Sequence, residues 1–224
     1  YPKEISIRSY KPNTSVHIGQ INKALDILSH ARKPVFLVGG GVNIAHANQE
    51  MTQLAELTGV PVITTIMGKG AIPTDHALYI GNIGIHGSYA ANLAISNCDV
   101  LFSIGTRFND RITGKIEKFA VHAKVIHIDI DAAEINKNIV VDASIIGDAK
   151  EVLKKLNAVI EQKDNKEWLE EISELQKKYP NTYREDILTG PTAISKIYEL
   201  TNGDAVITTD VGQHQMWAAQ MYKY

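Results

Sequence analysis

Apolar positions along the chain follow two patterns: short runs of consecutive apolar residues, and longer stretches in which they recur every three or four places. The short runs predict strands buried on both faces. They cover residues 34–38, 60–65, 99–104 and 124–131, with a weaker run over 140–146 and a last one over 205–209. Pro61 stands at the start of its run, where a missing N–H costs least. The longer stretches predict helices between them. Ile18, Ile21, Leu25 and Leu28 mark one face; Ala47, Met51, Leu54 and Ala55 a second; residues 88–97 a third; and Val152, Leu153, Leu156, Val159 and Ile160 a fourth. Residues 66–87 are glycine-rich and read as irregular. Strands alternating with helices imply an α/β fold, a Rossmann-like parallel sheet flanked by helices.

The pattern changes after residue 160. Residues 162–178 are highly charged, with Trp168, Ile172, Leu175 and Tyr179 on one helical face, and Pro180 ends the stretch. It reads as an amphipathic connector that docks on a neighbour. Gly190-Pro191 then opens a new unit: a helix over 192–200, the strand over 205–209, a loop over 210–214 and a helix from about Gln215. A lone strand cannot bury itself, so this unit reads as the truncated start of a second α/β domain. The expected organisation is a linker over 1–16, a central domain over 17–160, a connector over 161–190 and the second domain's opening over 191–224. The first residues, Tyr-Pro-Lys-Glu, carry neither an initiator Met nor a signal-peptide pattern, which suggests a chain cut from something longer.

Composition narrows the function classes. At 224 residues the chain is long enough for a proper core. A net charge of −2 and a pI near 6.5 argue against non-specific nucleic-acid binding, which needs a basic face. No apolar run is long enough to span a membrane. The single Cys98 allows no internal disulfide and no metal cluster, and reads as a small apolar core residue. A reducing cytoplasm fits.

The candidate chemistry lies where the predicted strands end. After the run 99–104 comes Gly105-Thr106-Arg107-Phe108-Asn109-Asp110-Arg111-Ile112-Thr113-Gly114. A buried parallel strand opening into such a loop is where an α/β protein binds a ligand. Arginine forks match phosphate oxygens bidentately, so the loop asks for an anionic, nucleotide-like ligand. Gly39-Gly40-Gly41 closes the first strand, where glycines let a phosphate approach the amides of a helix start. The Gly-x-Gly-x-x-Gly fingerprint is nevertheless incomplete, because Ile44 stands at its third glycine. The second strand ends in Thr64-Thr65-Ile66-Met67, without the acid that holds the ribose in ordinary NAD binding. Asp129 and Asp148 end the later strands and are candidates for ribose hydroxyls or an adenine amine; Asp148 also fits a helix N-cap. His86, between Gly84 and Gly87, is a candidate base, ligand or donor, but no partner carboxylate or histidine lies at metal-ligand spacing. His127 reads as a satisfied core residue. No nucleophile elbow, paired carboxylates or P-loop is present. The domain reads as a cofactor holder.

Together these segments resemble the catalytic large subunits of acetolactate synthase, thiamine-diphosphate enzymes that also carry FAD. The match runs over essentially the whole chain. Residues 105–114 resemble the family's Gly-Ala-Arg-Phe-Asp-Asp-Arg-Val-Thr-Gly. Residues 83–87 are similar to its Leu-Gly-Met-His-Gly. Residues 208–220, Thr-Thr-Asp-Val-Gly-Gln-His-Gln-Met-Trp-Ala-Ala-Gln, belong to the same pattern. Pyruvate oxidase and the 2-ketoacid decarboxylases share the fold but not this set. The resemblance implies that Gly40, Gly41, Thr65, Ile66, Met67, Gly84, Ile85, His86, Gly87, Gly105, Arg107, Asn109, Arg111 and Ile112 line an FAD. Asp129, Ile130 and Asp148 would hold its ribose and adenine end, and Gln215 would touch the flavin side. Val211, Gly212, Gln213 and His214 would begin a thiamine-diphosphate site. Asn109 replaces the family's usual Asp, which keeps an acceptor but removes a salt bridge to Arg111.

The family's ring-activating glutamate and its Gly-Asp-Gly…Asn motif for Mg²⁺ and diphosphate belong to flanking domains. Neither is in this chain, so no catalytic residue and no metal ligand is assigned to it. The resemblance further implies a parent that condenses two pyruvates, or pyruvate and 2-ketobutyrate, with loss of CO₂ in branched-chain amino-acid synthesis. FAD would do no net redox chemistry there. The parent would be a homo-oligomer with a regulatory small subunit, and the fragment alone inactive. Three alternatives stand beside this: a structural domain with an empty nucleotide pocket, the central domain of a related 2-ketoacid decarboxylase or oxidase, and a sirtuin-like NAD enzyme. The last lacks the acid after the second strand and any zinc-binding cysteines.

Overall fold

The structure, a computed structural model, describes residues 15–224; of the linker expected over 1–16, residues 1–14 lie outside it. Six strands form one sheet in the order β3-β2-β1-β4-β5-β6. They are β1 Pro34–Val38, β2 Val62–Thr64, β3 Tyr79–Asn82, β4 Val100–Ile104, β5 Lys124–Asp129 and β6 Ala143–Ile146. Every neighbouring pair is parallel, the α/β architecture expected from the alternating runs.

Each face of the sheet has its own core. On one face α1 (Ile18–Ser29), the short α2 (Gly40–Ile44), α3 (Asn48–Thr58) and α6 (Ala149–Val159) cover Phe36, Val38, Phe102, Ile104, Ile126 and Ile128. On the other, α4 (Tyr89–Asn97) and α7 (Lys166–Lys178) cover Val35, Leu37, Ile63 and Leu101. Burial on both faces is why these strands read as unbroken apolar runs. Between α4 and α6 the one α-helix among the described residues is the one-turn α5 (Asp110–Thr113). Ser88 caps α4 by accepting from the Ala91 amide at 3.2 Å. Cys98 is buried, its thiol pushed up to about 12 by burial. The first helix turns a little from expectation: Ile21, Ala24, Ile27 and Leu28 are buried, whereas Ile18 is exposed.

The charged connector docks on the sheet's own second face. Trp168 and Ile172 enter that core, and the indole N–H donates to the Pro34 carbonyl at 3.1 Å. Lys33 Nζ lies 4.9 Å from the Trp168 ring and 2.6 Å from Glu171 Oε2. This tie explains how so polar a helix holds its place.

Two expectations are corrected. Residues 66–87 are not wholly irregular, because they contain the edge strand β3. Its four residues alternate between half-buried and buried and include Gly81, too short and too broken a pattern to read as an apolar run. The run 205–209, expected as a strand, forms none. It passes between α8 (Gly190–Thr201) and α9 (Gln213–Met221) with Val206 93% exposed. The two helices pack on each other, Tyr198 against Tyr222 at 5.3 Å between ring centroids. They meet the sheet's rim where Gln220 Nε2 donates to the His86 carbonyl at 2.8 Å and the Tyr224 amide to Thr74 Oγ1 at 3.1 Å.

Candidate functional site

The strand order reverses between β1 and β4, and ligands in open α/β sheets bind beyond the strand ends at such a point. A pocket of about 560 Å³ lies there, within the usual range for small-molecule sites. Its floor is made by two strand-end loops pressed together. The Gly39 amide donates to the Ile104 carbonyl and the Gly41 amide to the Gly105 carbonyl, both at 2.9 Å. A Cβ on Gly41 would lie 2.7 Å from Gly105 Cα, and Gly105 has φ +59°. These glycines are therefore required by loop-on-loop packing, whatever ligand the loops hold. Gly39 caps α2 without a side chain, and Gly40 and Gly41 line the cavity.

The arginine loop leaves β4 with its residues alternating in and out. Thr106 and Phe108 are buried, and Phe108 stands edge-on to Phe119 at 6.0 Å. Arg107, Asn109, Arg111 and Ile112 line the cavity. Asn109 precedes the turn of α5 and makes no side-chain capping bond, although it lines the pocket. The Asn138 side chain holds the Phe108 carbonyl at 2.8 Å. Glu134 Oε1 lies 3.9 Å from Arg107 Nε and 2.8 Å from Lys137 Nζ.

The carboxylates come from the far strands. Asp129 is buried, and its carboxyl is raised above the ordinary range chiefly by burial; the Asp131 amide bond at 2.9 Å works the other way. A carboxyl so placed accepts readily from a hydroxyl that replaces its lost water. Asp148 caps α6, accepting from the Lys150 and Glu151 amides at 2.9 and 3.2 Å, and still lines the pocket beside Gly147. It thus caps the helix and lines the cavity at once.

Of the residues singled out from sequence, the pocket gathers Gly40, Gly41, Thr65, Ile66, Met67, Gly105, Arg107, Asn109, Arg111, Ile112, Asp129, Ile130 and Asp148. Gly84, Ile85, His86 and Gly87 form a turn next to it rather than part of its lining. The Ile85 amide donates to the Arg111 carbonyl at 3.3 Å, so this turn braces the arginine loop. Gly84 takes φ +108° and is gripped by Asn92 on both its amide and carbonyl. Gln215, Val211, Gly212, Gln213 and His214 lie on α9 and the turn before it, outside the lining. Sequence reasoning missed Ile44, Ala45, Ile83, Thr106, Ile128, Gly147 and Ala149 in the wall, and Glu134 behind Arg107. It also missed Lys69, whose ammonium sits between the Tyr79 and Tyr224 rings at 5.4 and 5.5 Å and is pulled down to about 8 by burial. Ile83, Thr106, Gly147 and Ala149 carried a signal, since each adjoins a residue singled out. His127 is buried as expected but only half satisfied, because its Nδ1 has no partner.

Comparison with known proteins places this architecture. The family model described as the thiamine pyrophosphate enzyme central domain matches residues 21–156, from α1 to α6. Over 99% of the chain, the sequence is 47% identical to a probable acetolactate synthase large subunit of Methanocaldococcus jannaschii, of which it covers 39%. It is 42% identical over its full length to an acetolactate synthase of Mycobacterium bovis, covering 38% of that protein. It is 38% identical to the acetolactate synthase isozyme 3 large subunit of Escherichia coli, covering 41%. The chain therefore spans about two fifths of the length of these relatives.

Proposed function

The chain belongs to the thiamine pyrophosphate enzymes, whose central domain it carries, and from that premise we propose that it is the FAD-holding part of an acetolactate synthase large subunit. The observation that carries this reading is the pocket at the β1–β4 reversal. There two arginines and a buried carboxylate line one cavity. That donor set suits a dinucleotide: Arg107 and Arg111 for the diphosphate, Asp129 and Asp148 for the ribose and adenine end. Thr65, Ile66, Met67 and Ile112 supply the apolar wall for a flavin ring. The turn of Gly84, Ile85, His86 and Gly87 backs the loop from outside.

The relatives' names support the wider reading. The full-length protein condenses two pyruvates, or pyruvate and 2-ketobutyrate, releasing CO₂. Thiamine diphosphate, held with Mg²⁺, supplies the electron sink for that chemistry. Val211, Gly212, Gln213 and His214 would contribute the start of its site, and Gln215, outside the pocket lining here, would approach the flavin from the second domain's side. FAD is structural in this reading, consistent with the buried, unreactive Cys98. The parent assembles as a homo-oligomer with a regulatory small subunit in the cytoplasm, and these residues alone do not turn over substrate. Among the described residues, no helix is long and apolar enough to cross a membrane.

Arg107→Ala and Arg111→Ala test the assignment. Each removes a charged hydrogen-bond donor and lowers flavin retention of the full-length protein by about tenfold or more. FAD content equal to wild type in both variants overturns it.

A further inference from the structure

A single histidine of β5 lies directly beneath the arginine loop. Along the strand, Val125, His127 and Asp129 point to one face and Ile126 and Ile128 to the other. The register places Ser103 of β4 on one side of His127 and Ser144 of β6 on the other. A polar row thus crosses a face that is otherwise apolar. His127 is 1% exposed, and a leucine would fill its place at less cost unless the imidazole had something to do.

Its contacts show what that is. Nε2 lies 2.9 Å from the Thr106 carbonyl. A carbonyl only accepts, so Nε2 carries the hydrogen and Nδ1 is the bare acceptor. The Phe108 ring stands edge-on to the imidazole at 4.9 Å. One side chain therefore holds the backbone just before Arg107 and the side chain just after it. Nδ1 and Ser103 Oγ are both buried without a partner. The charged groups facing the ring are Asp129, with Oδ2 3.7 Å from Nε2, and beyond it Glu134. Burial outweighs both and draws the imidazole below its ordinary range, so it stays neutral.

We infer that His127 is the positioning residue of the pocket: through Thr106 and Phe108 it sets the path of the loop and aims Arg107 at the phosphates of a dinucleotide. The inference rests on the reading of the pocket as a dinucleotide site. Arginine geometry matters here because a bidentate contact tolerates little misalignment.

The experiment uses the full-length protein with His127→Leu, which keeps bulk but removes the donor, and His127→Gln, whose amide N–H replaces it. Hydrogen exchange is followed over residues 105–114, and FAD affinity is measured with and without Arg107→Ala. His127→Leu raises exchange in the loop about tenfold while residues 34–38 and 62–64 stay protected, and weakens FAD by about tenfold. His127→Gln restores both to within about threefold of wild type. In the Arg107→Ala background the His127→Leu change adds nothing, as expected for residues acting as one unit. Loop protection unchanged by His127→Leu overturns the inference. So does exchange that rises across the whole sheet without rescue by His127→Gln, or affinity losses that simply add. A wild-type protein that binds no FAD overturns the pocket reading instead, and loop exchange still decides the role of His127.

Discussion

The runs 34–38 and 205–209 look alike in sequence, yet one is the centre of a sheet and the other is exposed chain. Pro34–Val38 is buried at every residue, flanked by β2 and β4. Ala205-Val206-Ile207-Thr208-Thr209 has comparable β-propensity, but no strand lies beside it among the described residues, and Val206 stays 93% exposed. The lesson is that apolar runs of this kind report a capacity for burial, which neighbouring strands and helices must complete. The same contrast separates the two candidate sites. Most of the pocket residues follow strands paired on both sides, whereas the residues from Val211 to His214 hang from a segment without a sheet.

Substitutions that split the two regions give the largest effects. Phe102→Ala empties a position packed edge-on against Phe36 at 5.6 Å and costs about 3–5 kcal/mol in urea unfolding. Val206→Ala changes stability by less than about 0.5 kcal/mol. Equal costs would break the comparison. Trp168→Ala comes next, at about 3 kcal/mol. It removes the buried indole and its bond to Pro34, and so measures how far the connector belongs to the sheet.

The pH dependence of the same regions is smaller. Burial lowers His127 in the folded chain, so the unfolded chain takes up that proton first as pH falls. Its contribution to stability is full above about pH 6.5, the ordinary histidine value, and is lost below it. Asp129 is raised in the folded chain and acts in the opposite sense at lower pH, where the native state binds its proton more readily. His127→Gln therefore flattens the stability profile between about pH 5 and 6.5. A second pH effect falls at the rim where the C-terminal hairpin meets the sheet. Burial draws Lys69 from 10.5 to about 8, so stability rises as pH climbs from about 8 towards 10.5, and Lys69→Met abolishes the rise. A thermal midpoint that is flat in the wild type over this range contradicts it.

The central strands were legible because both of their faces are covered, which leaves a continuous apolar run in the sequence. β3 was not: at an edge, with Gly81 in the middle, it shows neither a run nor a clean alternation. The glycine triplet, the arginine loop, Asp129 and Asp148 were legible for a topological reason, whereas Thr65, Ile66, Met67, Ile112 and Ile130 came only from the family resemblance. The former stand where strands end, and there glycine, arginine and aspartate interrupt apolar runs. What stayed hidden depends on contacts distant in sequence. Nothing near Glu134 announces Arg107 as its neighbour, nothing near Lys69 announces Tyr224, and the link from His127 to Thr106 exists only once β4 and β5 are in register.

The account stands on the proposal that the pocket at the β1–β4 reversal holds an FAD. Titrating the full-length apoprotein with FAD, followed by flavin fluorescence and visible absorbance with FMN and NAD as controls, tests that proposal most directly. Saturable, FAD-selective binding that Arg107→Ala abolishes is the predicted result. Absence of saturation, or equal binding of all three nucleotides, would contradict it.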